Sequence, residues 1–138
     1  MSQEFALRAS LMQASLRILG KMNTAGVPVM AGTDTTAPYV FPGSSLHEEL
    51  ALLVQAGLTP MQALQAATKL PAEFLGKLQT QGTIQPGKIA DLLLLDANPV
   101  EDIHNTEKIR AVVLRGKLLD RSFLDELLAK EESFAKAH

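Results

Sequence analysis

A chain of 138 residues, 46% hydrophobic and 20% charged, is long enough for one domain with its own core, which argues against disorder over most of its length. The net charge of −2 comes from interspersed acids and bases, and with one Tyr and no Trp there is neither the basic footprint nor the aromatic platform that nucleic acids require. No apolar run approaches the roughly 20 residues of a membrane span, and the lack of cysteine excludes disulfides, thiolate metal sites and a Cys nucleophile, so a cytoplasmic setting is the expectation.

In chain order, Gln3 to about Asn23 favours helix, with Phe5, Leu7, Leu11, Ile18 and Leu19 near helical spacing. Gly26 breaks the pattern. Val27-Pro28-Val29-Met30-Ala31, leading into Gly32-Thr33-Asp34, predicts one buried strand, with Pro28 at its start where a missing N–H is tolerated. Helix, short loop and buried strand together predict an α/β protein with a parallel sheet. Pro38, Pro42 and Gly43 mark a loop after that strand. Ser45 with Glu48 three residues later predicts a capping box opening a helix over Leu46, Leu50, Leu53 and Val54 that stops at Gly57. Thr59, Pro60 and Gln62 predict a second box and a helix to about Thr68, and Pro71 starts a short turn ending at Gly76.

The character then changes. Gln81-Gly82 and Pro86-Gly87 predict turns before a buried strand from Ile89 to Leu95, and Asn98-Pro99 breaks it. Ile109 to Leu114 predicts another strand, with Arg115-Gly116 as a two-residue hairpin turn into Lys117 to Leu119. A last helix is expected from about Ser122 to Ala137, with Phe123, Leu124, Leu127 and Leu128 on one face.

Four stretches in this order resemble the C-terminal third of amidohydrolase-superfamily enzymes, nearest to the imidazolonepropionase and prolidase-like branch. They are Ala25-Gly26-Val27-Pro28-Val29 into Gly32-Thr33-Asp34; Leu46-His47-Glu48-Glu49-Leu50; Gly57-Leu58-Thr59-Pro60 through Ala63-Leu64 to Ala66-Ala67-Thr68; and Gly82-Thr83-Ile84 through Pro86-Gly87-Lys88 to Ala90-Asp91-Leu92. The resemblance implies an α/β fold: the last strand and helices of a metal-dependent-hydrolase (β/α)8 barrel plus the C-terminal strands of a composite β-sandwich, the barrel being incomplete. Residues 1–76 would be the terminal part of the barrel, with Val27 to Asp34 as its eighth strand. Residues 77–121 would return to the sandwich, and 122–138 form a C-terminal helix.

Asp34 falls at the C-terminal end of that strand, where barrel enzymes place catalytic groups. The resemblance implies that it binds a divalent metal, zinc foremost, and passes a proton from water to a leaving nitrogen; the plainer alternative is a loop cap. Thr35, Thr36 and Tyr39 lie on the following loop, from which substrate contacts arise in barrels, although an ordinary exposed loop accounts for them too. Catalytic zinc takes three protein ligands and a water. The His-x-His pair and further ligands of the family have no counterpart here, and His47, His104 and His138 have none of the required spacings. Glu48 and Glu49 are read as capping and dipole residues, and Asp91 and Asp96 as turn residues.

Two readings follow. The first is the C-terminal part of a metal-dependent enzyme hydrolysing C–N bonds in amides, cyclic amides or dipeptides, inactive alone and without metal alone. The second is a stand-alone, non-catalytic, self-associating α/β module derived from such an enzyme. A parallel strand without neighbours leaves edges and apolar faces that seek partners, so a homo-oligomer or a complementary N-terminal amidohydrolase segment is expected, with neither nucleic acid nor membrane as partner.

Overall fold

The computed structural model describes residues 3–35, 37–38 and 40–137. Helix α1, Gln3–Thr24, ends where Gly26 takes φ 78°, a left-handed conformation open to glycine at no steric cost. After an irregular stretch come α2 (Ser44–Gln55), α3 (Pro60–Ala67) and α4 (Lys69–Phe74). Strand β1 (Leu92–Leu95), a 3₁₀ helix (Ile103–Glu107), β2 (Ile109–Leu114), β3 (Lys117–Leu119) and α5 (Arg121–Ala137) complete the order.

The core lies where α2, α3 and the 3₁₀ helix meet. Leu50 and Leu53 of α2, Leu58 of the connecting loop, Ala63 and Ala66 of α3 and Ile103 of the 3₁₀ helix are all buried together. Leu53 is 3% exposed at its centre. Leu53→Ala is therefore expected to cost about 2–5 kcal/mol, read from denaturant midpoints at constant m. Helix α1 packs on this core through Leu19, and its Leu16 is buried as well. It approaches so closely that a Cβ added at Gly20 would stand 2.3 Å from the carbonyl oxygen of Ala56.

Several local predictions hold. Thr59 caps α3 with the reciprocal bonds of a capping box: its hydroxyl accepts from Gln62 N at 3.2 Å, and its own N–H donates to Gln62 Oε1 at 2.8 Å. Pro60 sits at the first turn. Thr59→Ala should lower stability by about 1 kcal/mol in chemical denaturation. At Arg115-Gly116 both residues take positive φ, 49° and 81°, the conformation a type I′ hairpin turn demands. Asp91 Oδ1 accepts from Arg115 N and Ala90 O from Gly116 N, fastening the hairpin, and Asp96 pairs with Arg110, so both aspartates serve the sheet.

Other predictions need correction. The Ser45/Glu48 box is not formed. Gly43, at φ 88°, is the N-cap instead, two residues before Ser45, which puts Ser45 inside the first turn, where its hydroxyl accepts from Phe41 N at 2.9 Å. The strand expected over Ile89 to Leu95 is confined to Leu92–Leu95 and is not buried: Leu93 and Leu94 are exposed, and Ile89 N bonds to Thr80 O instead. The sheet is antiparallel, in the order β1-β2-β3, with Leu93 opposite Val112 and Val113 opposite Leu118. A bulge between Leu94 and Leu95 shifts the pairing to Ile109.

The largest difference concerns residues 27–34. They form no strand, and Val27 and Met30 are exposed. A parallel strand takes its hydrogen bonds from strands on either side. Among the described residues no such neighbours flank this segment, and its amides turn to helices instead, Ala31 N donating to Ala66 O at 2.9 Å. The result is a mixed α/β chain in which the expected barrel strand is an irregular segment, unpaired among the described residues, leading to Asp34.

Candidate functional site

Asp34 ends that segment in the left-handed region, at φ 50°, and its carbonyl accepts from Ala37 N at 2.9 Å to close a turn. Apart from glycine, positive φ occurs among the described residues only here and at Arg115. The hairpin accounts for Arg115. At Asp34 it belongs to the turn closed by Ala37 N, in a region of backbone that aspartate enters more readily than most residues. The residue is exposed at the mouth of the segment, next to Thr35 in the turn. Thr36 and Tyr39, the other candidate substrate contacts, lie outside the described residues, as does His138.

Two residues before Asp34, Gly32 N donates to Glu49 Oε1 of α2 at 2.7 Å. Gly32, Thr33 and Glu49 line a cleft of about 380 Å³, walled by Leu16 and Leu19 of α1 and by Leu52 and Leu53 of α2. Glu49 is thus no dipole residue. No spacing in the sequence signals its role, because its partner lies 17 residues away in the chain.

His47 is likewise more than a surface residue. Its Nδ1 lies 3.0 Å from Thr106 Oγ1, and that hydroxyl gives its single proton to Ile103 O at 2.8 Å. Nδ1 must therefore carry the hydrogen, which fixes the tautomer. Residues 47 and 49 are roughly 200° apart around a helix. Accordingly, α2 reaches the 3₁₀ helix with one side chain and the Asp34 segment with the other.

His104 is exposed, its N–H bonded to Asp102 Oδ1. Among the described residues no three His, Asp or Glu side chains converge on one point. The described residues do not by themselves fit a divalent-metal centre. No described helix is long and apolar enough to cross a membrane.

Comparison with known proteins extends the picture. Residues 10–119 match the model of the amidohydrolase family. The chain is 36% identical over 85 residues to an imidazolonepropionase of Chromobacterium violaceum, covering 59% of this chain and 20% of that protein. It is 36% identical over 90 residues to an ochratoxinase of Aspergillus niger, covering 64% of this chain and 18% of that one. The solved structure of a Xaa-Pro dipeptidase with methionine in its active site superposes with a TM-score of 0.69 at 31% identity, over 76% of this chain and 25% of that one. The chain thus spans about a fifth to a quarter of the length of these proteins.

Proposed function

The chain belongs to the amidohydrolase family, and on that premise we propose that it is the C-terminal portion of an enzyme that hydrolyses C–N bonds in amides, cyclic amides or dipeptides. Asp34 is the catalytic carboxylate it contributes. In the complete enzyme, residues 1–76 would contribute the segment that pairs as the last barrel strand together with its helices, and residues 77–121 the sandwich segment. The observation that carries the reading is the position of Asp34: within the family match, at the end of the Val27-to-Asp34 segment that the resemblance assigns to the last barrel strand. A dipeptidase among the similar structures supports the substrate class.

In such a hydrolysis a C–O bond forms from water and the C–N bond breaks. One proton leaves the attacking water and one reaches the departing nitrogen. A carboxylate at Asp34 can take the first and deliver it as the second, a role of general base and then acid. Thr35, with Thr36 and Tyr39, is placed by sequence to meet the substrate beside it. The family generally uses divalent metals. Asp34 is the donor this chain would offer, the others, with zinc the favoured ion, belonging to a preceding segment.

The same reading assigns a partner. Leu7, Leu11, Ile18 and Met22 form an exposed stripe on α1. We assign it to a complementary N-terminal amidohydrolase segment, and copies of the chain cover one another when that segment is withheld. The test is to assay amide, cyclic amide and dipeptide hydrolysis by this chain alone and mixed with an N-terminal amidohydrolase segment, with zinc or manganese supplied to both. Turnover only in the mixture is expected. Turnover by the chain alone would show that the site is complete in these 138 residues. Equal inactivity in both would favour the stand-alone, self-associating module.

A further inference from the structure

We infer that Glu49 is the positioning residue for Asp34, acting through the backbone of Gly32; this deepens the reading of Asp34 given above and rests on it. Among the described residues the segment ending at Asp34 pairs with no strand; Val29 and Ala31 pack against the core, and past Ala31 its hydrogen bonds to helices place the aspartate. Ala31 N goes to Ala66 O of α3 at 2.9 Å, and Gly32 N to Glu49 Oε1 of α2 at 2.7 Å. The chain is thereby clamped from both sides just before the left-handed turn at Asp34. Glycine has no side chain with which to pack, so at Gly32 the clamp is the hydrogen bond itself.

The other oxygen of the same group, Oε2, is buried and among the described residues has no hydrogen-bond partner. A buried polar atom left unsatisfied destabilises the fold. Leu16, Leu52 and Leu53 line the same cleft beside Ser15, Thr33, Ser45 and Glu48, and none of these polar side chains is bonded to Oε2, so an apolar side chain at position 49 would remove the unsatisfied atom. A residue that is a poor choice for stability yet makes one short bond to the functional segment is the pattern expected when position is favoured over stability. The base of the clamp is itself fixed, because His47 on the far side of α2 is bonded to Thr106.

The test uses the full chain with Glu49→Leu, Glu49→Gln and, as a control for general loosening, Leu53→Ala. Amide hydrogen exchange of Gly32 and backbone order at Thr33 and Asp34 are read by NMR, beside Tm. In Glu49→Leu, Gly32 exchange should rise at least about tenfold and order at Thr33 and Asp34 should fall, with Tm unchanged or raised. Glu49→Gln keeps an acceptor oxygen and should restore Gly32 protection. Leu53→Ala should lower Tm without singling out Gly32 over Ala66. If Glu49→Leu leaves Gly32 exchange and Asp34 order as in the parent, or if Tm falls in step as in the control, the inference is overturned. None of these measurements needs turnover. If Asp34 is not catalytic, that will appear as an undiminished rate in Asp34→Asn while the Gly32 result stands.

Discussion

Asp34→Asn is expected to lower hydrolysis by the reconstituted enzyme at least about a thousandfold, roughly 4 kcal/mol of transition-state stabilisation, because an amide cannot take up and return the proton. Asparagine is the informative replacement. It enters the left-handed region as readily as aspartate does, so the φ of 50° and the turn closed by Ala37 N are retained. The residue is exposed, and stability should change by no more than about 0.5 kcal/mol. The measurement is kcat/KM for parent and variant chains, each mixed with the same N-terminal segment, together with their denaturation midpoints. A rate within tenfold of the parent at equal stability would remove Asp34 from the chemistry. A collapse of both rate and stability would make it a structural turn residue.

What the sequence discloses and what it withholds divide along physical lines. The capping box at Thr59 and Gln62 is complete within four residues, and the hairpin at Arg115-Gly116 within two; both are read correctly because the energies that form them are local. Ser45 and Glu48 present a similar pattern, yet Gly43 caps the helix two residues early and the box has nothing to cap. Val27 to Asp34 has the composition of a buried strand, but pairing is a property of neighbouring strands, which this segment lacks among the described residues, and only part of it, Val29 and Ala31, packs against the core. Glu49 could not be read at all. Its significance comes from Gly32 being brought to it by the packing of α1, α2 and α3, and periodicity is silent about such a meeting.

The apolar periodicity of α1 is a subtler case, and it carries the second large prediction. Met12, Leu16 and Leu19 turn to the cleft and α2. Leu7, Leu11, Ile18 and Met22, at steps of four, seven and four residues, share another side of the helix. Leu7, Leu11 and Ile18 are each 59% exposed and Met22 42%. A single surface helix needs one apolar face; α1 has two, and only one is covered within the chain. A contiguous apolar stripe of this kind marks an interaction surface. The chain alone should therefore self-associate, and the double variant Leu11→Glu, Ile18→Glu should dissociate it. Each buried side chain of this size is worth about 1.5–3 kcal/mol, so the association constant should fall at least a hundredfold. Sedimentation velocity over a range of concentrations reads the effect. Adding the N-terminal segment should replace self-association by a mixed complex, which the double variant should form weakly. A parent chain that sediments as a monomer at every concentration would mean that α1 needs no partner, and the assignment of its outer stripe would be lost.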